Sequence, residues 1–186
     1  MDIRKKNLDL LKKNHIYSSQ MEHDACGVGL VASTDGKKTR QVVEYGIEAL
    51  KAVWHRGAID ADGKTGDGAG IHIEISSEFF IEKIESRGHN HDGSDVCIGM
   101  IFLPRNDYSA QEACRIIVES ELTKNNYKIY GWRQVPVNPS VLGEKAEATR
   151  PEIAQVLFTQ NDKSVVGKKL ERNLYEIRRK IENECI

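Results

Sequence analysis

Asp24-Ala25-Cys26-Gly27-Val28-Gly29-Leu30-Val31-Ala32 is the stretch that decides how the chain is read. It is an apolar segment of strand character that opens on a thiol, and the small residues around Cys26 leave an incoming group room to reach the sulfur. If the bond between Ala25 and Cys26 is cut, one residue carries both a nucleophile and a free amine to serve as its base. An α-amino group titrates at about 7.7 to 8.0, which suits proton transfer near neutrality. The cut is chemically plausible, because the Cys26 sulfur can attack the Ala25 carbonyl and leave a thioester that water opens. The competing interpretation is that Cys26 is an ordinary strand residue, and the stretch by itself leaves both open.

Further along, Val43, Ile47, Leu50 and Trp54 recur at helical spacing, so residues 41–54 are expected to form a helix with one buried stripe. The helix runs into His55-Arg56-Gly57, where glycine can end it and Arg56 is delivered toward the loop that follows. That loop, residues 58–70, carries Gly63, Gly66, Gly68 and Gly70 together with Asp60, Asp62 and Asp67. Such a density of glycine admits positive φ angles and close approach of backbone to a ligand. It is not a dinucleotide fingerprint, since that motif follows a strand and opens a helix, whereas here a strand is expected after the glycines, at Ile71-His72-Ile73-Glu74-Ile75. Lys64-Thr65 also lacks the frame of a phosphate-binding loop. The aspartates can fix turns as readily as they can meet a ligand. The expectation is that the Cys26 stretch and the glycine loop face each other across one pocket.

The whole chain narrows the possibilities. With 186 residues, 39% hydrophobic and 30% charged, it is expected to be one soluble globular domain. A net charge of -1 gives no footprint for nucleic acid or an acidic membrane surface. There is no apolar run of about 20 residues and no secretory signal, so a cytoplasmic location and no membrane partner are expected. The four cysteines contain no Cys-x-x-Cys pair, which argues against a zinc or iron-sulfur site. Cys97 and Cys114 are expected to be buried small hydrophobes, and Cys185 an inert terminal residue. His89 and His91 sit in a polar loop without a third ligand, so they are expected to be solvated rather than metal-binding.

The remaining elements alternate. Ser76 or Ser77 caps a short helix bearing Phe79, Phe80 and Ile84. Residues 96–103 read as a strand ended by Pro104, and Ser109-Ala110-Gln111-Glu112 as a capping box opening a helix with Ala113, Ile116 and Ile117. Residues 127–135 and 153–159 read as strands with a connector at 141–149 between them. From Gly167 onward, Leu170, Leu174, Ile177 and Ile181 make one amphipathic cover for a sheet. The class is therefore α/β, or α+β layered.

The run from Glu22 to Ala32, with His55-Arg56-Gly57 and Ala61-Asp62-Gly63-Lys64-Thr65-Gly66-Asp67-Gly68-Ala69-Gly70, closely resembles the start of glutamate synthase large chains. That start is a class II glutamine amidotransferase domain. Phe102-Leu103-Pro104 and the helix around Leu174 fit the same family. The resemblance implies an N-terminal nucleophile hydrolase αββα sandwich, with residues 1–25 a propeptide and 26–186 the N-terminal portion of the amidotransferase domain. It implies that Cys26 is the catalytic thiol, that glutamine is the substrate, and that Arg56, Gly57, Asp67 and Gly68 line its pocket. Glutamate and ammonia would be the products, for ammonia assimilation and glutamate biosynthesis.

Family members also carry a His-x-Arg-Phe-Ser-Thr-Asn segment and an Asn-Gly-Glu segment that supply the substrate-gripping arginine and the oxyanion hole. Neither occurs up to Ile186, so the sandwich is expected to be incomplete at its C-terminus and a further chain to carry the rest. No cofactor is expected on this chain, since FMN, iron-sulfur clusters and NAD(P)H are implied only for the complete enzyme. The alternative is a truncated, non-catalytic piece or an interaction subunit that keeps the first half of the fold. A cysteine hydrolase of another amide is a third possibility.

Overall fold

Runs rich in β-branched and aromatic residues gain from pairing along an edge and from cover on a face, and three such runs meet in one antiparallel sheet. The computed structural model describes residues 6, 27–53, 59–66 and 68–185. They belong to two compact units, Met1–Arg56 and Gly57–Ile186.

In the first unit, residues 27–33 have no ladder pairing, and Val28 and Leu30 are almost fully exposed, at 95% and 91%. The expected strand after Cys26 is therefore not formed among the described residues, because glycine alternating with apolar residues offers no buried face unless another strand lies beside it. A turn follows, in which Gly36 takes φ 69° and donates to the Ser33 carbonyl at 3.3 Å. Helix α1, Arg40–Ala52, then presents Val42, Val43 and Ile47 as its half-buried stripe. It ends two residues before the expected Trp54.

In the second unit, α2 is Ser77–Glu85, β1 Val96–Leu103, α3 Tyr108–Lys124, β2 Tyr127–Gln134, α4 Glu144–Thr149, β3 Glu152–Gln160 and α5 Gly167–Cys185. A 3-10 turn, Pro139–Val141, precedes α4. The connector expected at 141–149 is thus largely helical. The sheet order is β1-β3-β2, with both pairs antiparallel. Central β3 is buried from Ala154 through Gln160 because it is covered on both faces.

On one face, Cys97, Tyr127, Val156 and Phe158 meet Val118 and Leu122 of α3 and Leu170 and Ile177 of α5. On the other, Val96, Tyr130 and Leu157 pack against Ile84 of α2. Beyond that short helix, Met100 and Phe102 remain 48% and 65% exposed. In β2, Tyr130 is the extra residue of a bulge between Ile129 and Gly131, and Gly131 takes the φ of 121° that the bulge requires. Gly99 sits opposite Val156, where a Cβ would lie 2.7 Å from Val156 Cγ1, so close packing excludes a side chain there.

The class is mixed α/β and layered, as expected, with a single small sheet among the described residues in place of the two of the sandwich. The strand expected at 71–75 makes no ladder, and Ile71, Ile73 and Ile75 stay about half exposed.

Three local expectations are corrected. The N-cap of α3 is Asp107, whose Oδ1 accepts from the Ala110 amide at 2.9 Å. A good cap two residues upstream of Ser109 starts the helix first and leaves Ser109 in the opening turn. The buried side of α3 runs through Gln111, Val118, Glu121 and Leu122, so Ile116 is 59% exposed. Cys114 is half-buried rather than buried.

Candidate functional site

Of the residues expected to form the site, Cys26, Arg56, Gly57 and Asp67 lie outside the described residues. Gly68 is exposed and outside any helix or strand, and no atom beyond its chain neighbours lies within 4 Å of where its Cβ would be. What the structure shows of the site is the first part of the glycine-rich loop, residues 59–66, and the platform it rests on.

The loop closes on itself through local hydrogen bonds that its sequence dictates. Ile59 and Gly66 form an antiparallel bridge, and the Asp60 amide donates to the Thr65 carbonyl at 2.7 Å. The turn between them has Gly63 at φ 67°, a left-handed position that glycine accepts without strain. Asp62 organises its interior. Its Oδ1 accepts from the Lys64 amide at 2.9 Å and the Thr65 amide at 2.7 Å, and its Oδ2 accepts from the Thr65 hydroxyl at 2.5 Å. These donors, the Thr65 hydroxyl foremost, hold the Asp62 carboxyl down to about 2. Of the two readings open in the sequence, Asp62 therefore has the turn-fixing one, since each of these bonds is made inside the loop.

A distant segment carries the loop. Lys145, in α4, reaches Asp60 Oδ2 at 2.6 Å. Gly143, buried immediately before α4, lies against Asp62 and Thr65. Its φ of -78° and ψ of 166° are open to any residue, so room rather than backbone freedom explains glycine at this point. Glu147, one helical turn on from Gly143, bonds both Arg105 and Arg150, the latter at 2.8 Å from Nε. Those guanidiniums hold its carboxyl below the ordinary range, and Glu147 in turn raises Arg150. Both arginines bond Glu147, so two guanidiniums share one carboxylate in the open cleft they line with Phe102 and Thr149.

No sequence signal pointed to Gly143, Lys145 or the Arg105-Glu147-Arg150 cluster. They are ordinary residues made neighbours by the fold. The described cysteines are unlike an activated thiol. Burial pushes Cys97 up to about 11, and burial together with neighbouring Cys114 raises Cys185. His89 is exposed, as expected, with its ring 5.9 Å from that of Tyr130, while His91 is half-buried at 6.0 Å from the same ring and its Nδ1 accepts from the Gly93 amide at 3.2 Å. Among the described residues no group of three His, Cys, Asp or Glu is disposed to hold a metal, and no helix is long and apolar enough to cross a membrane.

Comparison with known proteins extends to the residues around Cys26 and Arg56. Residues 26–186 match the family model for glutamine amidotransferases class-II. The chain belongs to that family. Proteins similar to it include the glutamate synthase [NADPH] large chain of Azospirillum brasilense, 54% identical over 176 residues, which are 95% of this chain and 12% of the relative. Ferredoxin-dependent glutamate synthase 2 of Synechocystis is 39% identical over 83% of this chain and 10% of its own length. The chloroplastic ferredoxin-dependent enzyme of Spinacia oleracea is 36% identical over 87% of this chain and 10% of its own. The chain thus spans about a tenth of the length of these relatives, and its likeness to them covers nearly all of it. The N-terminal nucleophile hydrolase fold of the amidotransferase family agrees with the layered α/β architecture seen here.

Proposed function

We propose that this chain carries the glutaminase centre of a glutamate synthase, with Cys26 as nucleophile once residues 1–25 have been removed. The Cys26 amine takes the thiol proton as Sγ attacks the side-chain carbonyl carbon of glutamine. The C–S bond forms, the C–N bond breaks, and the proton passes to the departing nitrogen, which leaves as ammonia. Water then opens the γ-glutamyl thioester, releasing glutamate and restoring the thiol. Arg56, Gly57, Asp67 and Gly68 line the pocket that receives glutamine. FMN, the iron-sulfur clusters and the nicotinamide chemistry that use the ammonia belong, on this reading, to the complete glutamate synthase in the cytoplasm.

The observation that carries this reading is that the family match begins at residue 26, the one cysteine followed by the Gly-Val-Gly-Leu run. The test is intact-mass analysis of active protein combined with labelling by a glutamine-like electrophile. A chain that begins at Cys26, carries the label there and loses glutamine hydrolysis in Cys26→Ala is expected. An intact Met1 in fully active protein, or activity that survives Cys26→Ala, would overturn the mechanism, whereas a chain that takes no label at Cys26 and hydrolyses no glutamine would leave the non-catalytic alternative.

A further inference from the structure

We propose that Gly143 is a positioning residue for the glutamine pocket: by presenting no side chain, it lets the Asp62-Thr65 turn seat against the start of α4 and so sets where the glycine-rich loop stands. This rests on the reading that the loop lines that pocket.

The seat is built from three independent contacts. A Cβ on Gly143 would run into Asp62 Oδ2 and Thr65 Oγ1 and lie 2.8 Å from the Thr65 amide nitrogen. The amide is backbone and cannot swing aside, and the other two atoms are already bonded to each other. An added methyl group therefore has to displace the turn as a body. Lys145 fastens the same loop through Asp60 at 2.6 Å, two residues along from Gly143. Below it, the Glu147 amide donates to the Gly143 carbonyl at 2.9 Å, and the Glu147 side chain bonds Arg105, in the turn that follows β1. A continuous path thus runs from the sheet through Arg105, Glu147 and Gly143 to a loop that has no core residues of its own.

The separation in sequence matters for what the path does. The loop lies directly after the Arg56 segment, whereas Gly143 lies past the second strand, so the pocket's wall takes its place only when the sheet is formed. Displacing a substrate-positioning element by about 1 Å can cost up to about 100-fold in rate.

The test uses Gly143→Ala in the full protein, with amide hydrogen exchange over residues 60–65 and glutamine kinetics measured together. Exchange is expected to quicken at Lys64 and Thr65, and KM for glutamine to rise about tenfold with kcat within about twofold, since the chemistry at Cys26 is untouched. The melting temperature should stay within a degree or two, because the turn lies outside both cores. Unchanged exchange in Gly143→Ala would overturn the seating itself. Quickened exchange with unchanged kinetics would overturn the link to the pocket, and would place the failure in the reading of the loop as its wall. If the alanine variant does not fold, Lys145→Met carries the test, since it removes one tether without adding volume. It should give the same pattern at about two- to threefold, and the same two null results would overturn the proposal.

Discussion

Replacing Gly99 by alanine tests the packing at the centre of the sheet. Gly99 pairs with Val156 across the β1-β3 ladder, and the new Cβ would sit 2.7 Å from Val156 Cγ1, with Ile101 Cδ1 and Phe158 Cε1 each at 3.8 Å. Ordinary contact begins near 3.4 Å, so about 0.7 Å has to be found. Val156 is 1% exposed, β-branched and held by strands on both sides. It cannot rotate away cheaply. Overpacking of this kind costs about 1 to 3 kcal/mol. A cost of about 2 kcal/mol lowers the melting temperature of a chain this size by roughly 4 to 8 °C. Urea unfolding of Gly99→Ala, Val156→Ala and the double variant separates this collision from a general loss of strand quality. Val156→Ala leaves a space that the new methyl can fill, so the double variant should be more stable than the sum of the singles by about 1 to 2 kcal/mol. Additivity within about 0.5 kcal/mol, or an alanine variant as stable as the parent, would refute the steric account.

Two further outcomes follow from the charges and thiols. Asp62 is held at about 2 against an ordinary 3.8, so its contribution to loop order is complete above the ordinary value and is lost as pH falls through about 2. In Thr65→Val, which removes the largest cause, a carboxyl NMR titration should find the Asp62 midpoint moved upward, and an unmoved midpoint would contradict the hydrogen bonding described. Cys97 is buried and pushed up to about 11, first by that burial and then by the charges of Asp95 and Glu171. Iodoacetamide at neutral pH should leave Cys97 unmodified in the native chain and label it in denaturant, as read by peptide mass. Labelling of the native chain would show that the face between the sheet and α5 opens.

How far the sequence could be read depended on whether the cause was local. The stripe of Leu170, Leu174 and Ile177 announces α5, because helical spacing and burial are set within a few turns. The three strands are equally plain, β1 and β3 from their β-branched residues and β2 from its aromatics around Ile129. Asp62 was legible as a possible turn residue because an aspartate bonding amides two and three residues on is a short-range event. Ile116 misled, since which face of α3 turns inward is decided by α5 and the sheet rather than by α3 itself. The Ser109 box was overruled by a competing cap two residues earlier. Gly143 and Lys145 carry no pattern at all. Only the folded chain shows that Lys145 meets a residue 85 positions away. The segments at 27–33 and 71–75 have strand composition but no ladders, because a strand is completed by its neighbour and not by its own residues.

The middle strand of the sheet is the last of the three to be made. Since, among the described residues, β1 and β2 each pair only with β3, the first ladder position available to Leu103 is Glu152, and no hairpin between described strands can form early. On the ribosome, the two outer strands must wait unzipped until the central one emerges, with their edges open to other chains meanwhile. Helper proteins that shield nascent strands should therefore matter most while residues 96–152 are outside the exit tunnel and Gln160 is still within it.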